Sequence, residues 1–314
     1  MSGARNMPPQ PNPAKARTPA ANPLPKTTSP FFLPLAYTQD LVLRGMIGAT
    51  RALPYRWRVP FVGWLMRHLI APMAGYKTRV GENLALIWPD LPEPRVRALQ
   101  AAVCDNMGRT LAELYSPAEF KATVASSTLL GTGLEAILEA QAKGRAVILV
   151  SGHFGNHDIA RAVLATKGFA VAALYKPQRN PYFDRHFAAT IRAISEPLFA
   201  RGRKGLAELV THLRKGGMLG MLIDQHMNHG SPLTFLGHRA LTALSAAELA
   251  LKYDCLLVPV YGIRQPDGLH FNLLVEQPIP HSDARTMTQA LNDSLAAQVQ
   301  AHPDQWFWVH RRWK

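Results

Sequence analysis

From residue 145 onward, short apolar runs at 146–151, 169–174, 217–223, 255–263 and 269–276 alternate with amphipathic stretches near 157–167, 181–195, 204–215, 242–253 and 284–301. Runs of this length, bounded by Gly, Pro and polar clusters, read as strands, and the stretches between them carry helical periodicity. Strand–helix alternation demands crossover connections. It therefore predicts an α/β fold with a mixed, largely parallel central sheet flanked by helices on both faces. Residues 31–141 read as a mostly helical portion, broken at Pro54, Pro60, Pro72 and between Pro89 and Pro94. With 142–314 they make one expected domain. Residues 1–30 hold eight prolines, four basic residues and no acidic one, the composition of a disordered tail.

In sheets of this kind, ligands gather beyond the carboxyl ends of the strands. The run Ala146 to Val150 ends in SGHFGNHD, residues 151–158. His153 and Asp158 lie five positions apart, which on a regular helix separates their side chains by about 140°. Gly152 and Gly155 instead allow a tight turn around His153, and Asn156 is a candidate N-cap for a helix starting near His157. Asp158 then lies in the first helical turn, free to reach back. A neutral imidazole accepts a proton from a hydroxyl near neutral pH, and a carboxylate on its other nitrogen fixes the tautomer. No Ser or Cys sits in a G-x-S-x-G elbow, so such a base would activate the acceptor hydroxyl itself, for direct attack on a thioester. The same letters also fit a plain turn in which Asp158 only caps its helix. A zinc set drawn from His153, His157, Asp158, His226 and His229 is a third reading, disfavoured because Gly155 and Asn156 break any helix through both histidines and no HExxH or Cys-rich pattern accompanies them. No metal or other cofactor is expected.

Charge narrows the choice of partners. The net charge is +14, although only 18% of residues are charged and 47% are hydrophobic. A basic, charge-poor chain calls for an anionic partner. Between Arg44 and Arg79 there are seven Arg or Lys and no acid, interleaved with Trp57, Phe61, Trp64, Leu65, Met66, Leu69, Ile70 and Tyr76. That mixture suits an amphipathic element lying in an anionic membrane surface, and equally an ordinary helical layer with a solvated face. No uncharged apolar run reaches the roughly 18 residues needed to span a bilayer. Zinc-finger, RNP and helix-turn-helix patterns are missing, so nucleic acid is not an expected partner. Cys104 and Cys255 lie far apart, which argues against a disulfide scaffold.

Further candidates lie downstream. Asp224-Gln225 ends another predicted strand and either anchors the loop 226–239 or binds a polar group of the acceptor. Arg239 could meet a phosphate or be solvated. His310-Arg311-Arg312 sits among Trp306, Trp308 and Trp313, which suits headgroup contact, or a packed terminal strand with outward charges.

Six blocks in order carry a resemblance from Pro54 to Lys314. They are Arg79-Val80-Gly81-Glu82-Asn83-Leu84 with Trp88-Pro89; SGHFGNHDIA; Tyr175-Lys176-Pro177 with Asn180-Pro181; Met221-Leu222-Ile223-Asp224-Gln225; Phe235-Leu236-Gly237 with Ala240 and Thr242; and Trp308-Val309-His310-Arg311-Arg312-Trp313-Lys314. Together they resemble the bacterial lipid A biosynthesis acyltransferases of the lysophospholipid acyltransferase superfamily. The resemblance implies that fold and a peripheral or monotopic enzyme on the cytoplasmic face of the bacterial inner membrane. Its implied reaction moves an acyl chain from acyl carrier protein to a hydroxyl of a lipid A precursor. Carried over, His153 is the base and Asp158 its orienting acid. Gly155, Asn156, Asp224, Gln225, Arg239, His310, Arg311 and Arg312 are candidate substrate-binding residues, with Arg or backbone N–H groups of the 152–156 turn as oxyanion donors. The family usually has Glu at the position of Asp158 and an aromatic at that of His157. These departures leave room for a lysophospholipid or another glycolipid as acceptor.

Overall fold

The computed structural model describes residues 32–314, so the Pro-rich stretch 1–30 lies outside the described residues. The helical portion comprises α1 (Phe32–Thr50), α2 (Tyr55–Leu65), a π-turn Met66–Ile70 that runs into the short α3 (Ala71–Met73), α4 (Tyr76–Ile87), α5 (Glu93–Leu114) and α6 (Pro117–Val124). Pro54 and Pro92 occupy N-cap positions, where a missing N–H costs nothing. Pro60, expected as a break, lies inside α2. Helices α2 and α5 cross closely at Gly108, where a Cβ would stand 2.4 Å from the Val62 carbonyl oxygen. Arg58, counted above with the surface cations, is buried. It donates to Ser116 Oγ at 2.6 Å and Glu119 Oε1 at 3.2 Å, and so ties α2 to α6.

Beyond α6 the alternation begins: β1 (Thr128–Leu130), α7 (Leu134–Ala142), β2 (Val147–Ser151), α8 (Ile159–Thr166), β3 (Val171–Tyr175), α9 (Pro181–Ile194), β4 (Leu198–Ala200) and α10 (Arg203–Arg214). It continues with β5 (Met218–Leu222), β6 (Ser231–Phe235), β7 (His238–Thr242), α11 (Ser245–Lys252), β8 (Leu256–Arg264), β9 (Phe271–Val275) and α12 (Ala284–Ala301). Seven strands form one sheet in the order β1-β9-β8-β2-β5-β3-β4, parallel throughout except for the β8–β9 pair. Strand β2 is buried along its whole length at the centre. Its residues alternate between faces: Val147 and Leu149 pack with α6, α7 and α8, while Ile148 and Val150 pack with α10, α11 and α12.

The mixed, largely parallel sheet and the helical N-terminal portion match the expectation, with four strands added. Strands β1 and β4 have three residues each, too few for a periodic signal. Strands β6 and β7 form an antiparallel hairpin whose turn residues, Leu236 and Gly237, have φ of 48° and 79°. Left-handed turns of this kind usually carry Asn-Gly or Asp-Gly, so Leu236 conceals the hairpin. Thr242, expected in a helix, ends β7 instead, and α11 starts at Ser245.

A buried polar cluster joins the helical portion to the sheet. Arg264, at the end of β8, forms a fork on both Glu113 oxygens of α5, donates from Nε to Asn106 Oδ1 at 2.7 Å and lies over the Phe271 ring. Glu113 is fully buried, so removing it alone strands a guanidinium in the interior. Glu113→Ala should cost about 3–5 kcal/mol in urea unfolding. Glu113→Ala combined with Arg264→Met should cost less than the single change. Equal losses would mean that the ion pair is solvated.

Candidate active site

The carboxyl end of β2 leads into the turn 152–158, and the neighbouring end of β5 leads into Ile223-Asp224-Gln225. Their register, Ser151 opposite Leu222, sets His153 level with Asp224. The two are bonded twice. The His153 backbone N–H donates to Asp224 Oδ2 at 2.7 Å, and His153 Nδ1 meets Asp224 Oδ1 at 2.8 Å. Trp306 Nε1 donates to the same Oδ2 at 2.9 Å, while the N–H of Phe307 donates to the His153 carbonyl at 2.9 Å. The Asp224 side chain is wholly buried, whereas that of His153 is 22% exposed. With Nδ1 held by the carboxylate, Nε2 is the nitrogen free to face a substrate.

The carboxylate on His153 is therefore Asp224, and the expected partner Asp158 is engaged elsewhere. Asp158 Oδ1 accepts from Arg161 Nη1 at 2.6 Å, and Arg161 also donates to the Ser195 carbonyl at 2.6 Å. Arg161 lies one turn further along α8, buried like Asp158, so the acid turns into the helix to neutralise it rather than back to His153. Helix α8 also starts at Ile159, two residues later than expected. Asn156 Oδ1 accepts the N–H of Asp158, and the Asn156 carbonyl accepts that of Ile159.

The turn is held from below. Gly155 has φ of 54°, and a Cβ there would lie 1.9 Å from the Gly262 carbonyl oxygen. Its own carbonyl accepts from Asn106 Nδ2 and Thr110 Oγ1, both at 3.0 Å. Asn156 donates to Glu113 Oε2 at 2.8 Å. Gly155 and Asn156 are thus structural members of the turn. The N–H groups of residues 153, 154, 155 and 158 all donate within the protein, to Asp224, the Gly152 carbonyl, the Gln305 carbonyl and Asn156 respectively. Those of residues 153, 154 and 155 are therefore already engaged and not free as oxyanion donors.

Three imidazoles meet here. The His153 ring lies 5.2 Å from that of His157 and 4.6 Å, edge to face, from that of His310. Burial opposes charge on His153, but the charge and hydrogen bond of Asp224 outweigh it and raise its pKa above the ordinary value. Burial pushes His157 down and takes His310 down to about 4, helped in both cases by the neighbouring His153. Burial likewise works against the Asp224 charge, yet His153 and its hydrogen bonds hold that carboxyl well below the usual carboxylate range. Asp158 is also lowered, burial being offset by Arg161 and then His157.

Ligand atoms of His153, Asp224 and His310 lie within 4.8 Å of one another, so the geometric metal candidate differs from the set the sequence suggested. Both Asp224 oxygens already accept protein hydrogen bonds.

The remaining candidates separate. Gln225 is exposed beside Asp224, and its carbonyl lies 3.4 Å from Arg312 Nη1. Arg312 is not a headgroup ligand: it is fully buried, donates to the Leu241 carbonyl at 2.8 Å and Thr242 Oγ1 at 2.6 Å, and lies over the Phe235 ring. Arg311 is exposed. Arg239 is exposed on β7 opposite Thr234 and enters none of these bonds. Sequence reasoning missed two supports. Trp306 was read as an interfacial or packed aromatic, not as a donor to Asp224. Asn83 clamps the C-terminal segment by donating to the carbonyls of Trp308 at 2.6 Å and His310 at 2.9 Å.

The family model for bacterial lipid A biosynthesis acyltransferases matches residues 26–314. Among curated proteins, the chain is 25% identical over 241 residues to the lipid A biosynthesis lauroyltransferase of Escherichia coli (strain K12), covering 75% of this chain and 78% of that protein. It is 23% identical over 304 residues to lipid A biosynthesis acyltransferase 2 of Shigella flexneri, covering 91% and 92%. It is also 24% identical over 187 residues to the phosphatidylinositol mannoside acyltransferase of Mycobacterium tuberculosis (strain CDC 1551 / Oshkosh), covering 58% of each. With nearly its whole length matched and its six blocks in family order, the chain belongs to the bacterial lipid A biosynthesis acyltransferase family and is an acyltransferase.

Proposed function

We propose that the protein moves a fatty acyl chain from acyl carrier protein to a hydroxyl of a lipid A precursor at an anionic membrane surface, with His153 as the general base and Asp224 as its positioning carboxylate. The observation that carries this reading is the Nδ1–Asp224 bond, which keeps the proton on Nδ1 and the lone pair on Nε2. Nε2 takes the proton as the hydroxyl oxygen attacks the thioester carbonyl. The tetrahedral intermediate then collapses, and the imidazolium returns the proton to the departing thiolate, leaving ester and thiol. Asp224 stabilises the imidazolium without itself taking the proton. The acceptor is tested by mass spectrometry of lipid A from cells with and without the gene, where loss of one acyl chain is expected. An unchanged lipid A with an altered glycolipid elsewhere would transfer the chemistry to another acceptor, as the phosphatidylinositol mannoside relative suggests.

A membrane surface suits the helical portion. Trp57, Phe61 and Trp64 recur on one side of α2, all at least 42% exposed, with Leu69, Ile70 and Met73 following them. Leu35, Leu41, Val42 and Met46 extend the exposed apolar area along α1. Arg44, Arg51, Arg56 and Arg67 of the same stretch are exposed, Arg44 in an ion pair with Asp40. Among the described residues, no helix is long and apolar enough to cross a membrane. The arrangement matches an interfacial mode, in which apolar side chains enter the headgroup boundary and cations meet anionic lipid.

Removing the base by His153→Ala should lower kcat by about 100- to 10,000-fold with the melting temperature little changed. Asp224→Asn should be comparably severe, because its oxygen must still accept from His153 N–H and Trp306, turning its NH2 towards Nδ1. The imidazole proton is then forced onto Nε2. Activity within threefold of wild type for either variant overturns the assignment. By contrast, Asp158→Asn leaves the buried Arg161 charge without its counter-ion. It should chiefly lower stability, by about 3–5 kcal/mol.

Because Asp224 raises the His153 pKa, the base form becomes populated only as pH rises through a value above the ordinary 6.5. The rate should climb over that window, in which Asp224 is already ionised. His157→Phe should keep most activity, and chelator-treated enzyme should retain its rate. Stoichiometric zinc whose removal abolishes turnover would instead assign the cluster to metal chemistry.

Vesicles of phosphatidylethanolamine with phosphatidylglycerol should bind the protein, and added salt should weaken but not abolish that binding. Trp57→Ser with Trp64→Ser should remove the salt-resistant part. Equal binding to neutral vesicles at low salt would refute the electrostatic contribution.

A further inference from the structure

The rim that carries His153 also carries a basic surface with no role in the chemistry above. Ser151 pairs with Leu222, Ala173 pairs with Gly220, and Tyr175 pairs with Ala200. Continuing these registers places the ends of β2, β5, β3 and β4 in one row. The residues just past that row are His153, Asp224, Lys176 and Arg201, and the Arg201 N–H donates to the Tyr175 carbonyl at 2.8 Å. Arg179 follows in the loop to α9, while Arg203 and Lys204 open α10. All five cations are exposed. Among the described residues, none of them pairs with a carboxylate except Lys204, which lies 3.9 Å from the exposed Glu208. Asp184, which lies nearby in sequence, is buried and occupied by the Gln178 N–H and the Tyr175 hydroxyl.

We infer that Lys176, Arg179, Arg201, Arg203 and Lys204 form the docking surface for the acidic carrier protein that brings the acyl thioester. This rests on the proposed reading of the donor. Unpaired exposed cations on one rim favour an acidic partner and raise its association rate. Leu206 is 50% exposed on α10 beside them and supplies an apolar contact for a helix of that partner. Around Arg201, Arg203 and Lys204 the interfacial signature of α2 is missing: among the described residues, 196–215 contain no exposed aromatic side chain. Geometry supplies the second argument. Strands β3 and β4 stand two and three positions from β2, so Lys176 and Arg201 lie roughly 10–14 Å along the rim from His153. A carrier protein docked there would present its thioester, on a flexible phosphopantetheine arm, sideways across the strand ends to Nε2.

The test uses full-length protein with R201E, R203E and K204E combined. Binding of holo acyl carrier protein is measured by titration, together with turnover using acyl carrier protein and acyl-pantetheine as alternative donors. The triple variant should bind the carrier at least about tenfold more weakly, with a flatter salt dependence. Its kcat/KM should fall for the carrier-borne donor, while transfer from acyl-pantetheine and the melting temperature stay within twofold and 2 °C of wild type, roughly the range expected of surface changes. Equal carrier binding by wild type and variant, or none by either, overturns the docking surface. A variant that loses phosphatidylglycerol-vesicle binding as strongly as carrier binding also overturns it, and reassigns the cations to lipid headgroups. If wild type binds the carrier through these residues but transfers no acyl group from it, the docking surface stands and the donor in the proposed function is wrong.

Discussion

Asp224 accepts hydrogen bonds from three groups on two other stretches of chain while its side chain has no contact with solvent. Burying a carboxylate without partners costs several kcal/mol, so the fold must deliver those donors or protonate the acid. It delivers them by convergence. The end of β5 brings the acid, the turn after β2 brings a backbone N–H and an imidazole, and the C-terminal segment brings the Trp306 indole. The C-terminal segment is fixed in turn by Asn83 of α4 on the carbonyls of Trp308 and His310, and by Arg312 in the β6–β7 hairpin. Five of the six sequence blocks thus help to hold one carboxylate, two directly and three through the C-terminal segment.

The same reasoning explains why the helical portion and the site behave as a unit. The left-handed Gly155 and its buried neighbours are held by Asn106, Thr110 and Glu113, three residues along α5. The other side of α5 receives α2 at Gly108, and α2 carries the exposed tryptophans. One helix therefore links the apolar surface to the turn that holds His153. In the proposed reaction, packed backbone fixes the distance from the lipid surface to the base.

Much of this was legible in the sequence. Strands β2, β3, β5, β8 and β9 carry their own apolar signal, and α12 coincides with its expected bounds because Asp283 caps it and its apolar stripe is regular. His153 was singled out because two glycines at a strand end mark a turn. Its partner was not, because sequence distance favoured Asp158, five residues away, over Asp224, seventy-one residues away. Only the adjacency of β2 and β5 makes the distant acid the near one, and strand order is not written in periodicity. One clue was available: Arg161 lies three residues after Asp158, the spacing of a helical ion pair, and predicts where that carboxylate turns. Arg312 was misread for a similar reason, since a basic cluster among tryptophans looks alike whether it faces lipid or a buried threonine.

Three histidines crowd the site, yet the protein differentiates them. Each loses hydration, which disfavours the charged form, and a cation on any one raises the cost of a cation on the others. His153 alone has a carboxylate in hydrogen-bond contact, so the pocket's capacity for one positive charge is concentrated on it. His157 sees Asp158 only at 4.0 Å, and that acid is already neutralised by Arg161. His310 brings a ring nitrogen within 4.8 Å of an Asp224 oxygen, but its Nε2 is buried without a hydrogen-bond partner. In the proposed reaction, the proton removed from an acceptor therefore has one favourable resting place, on the imidazole whose other nitrogen is tied to Asp224. The other two rings lie against that of His153, at 5.2 and 4.6 Å. Diverting Asp158 to Arg161 serves the same end: a second free carboxylate beside these rings would offer a second imidazolium and split the charge that the transfer step needs in one place.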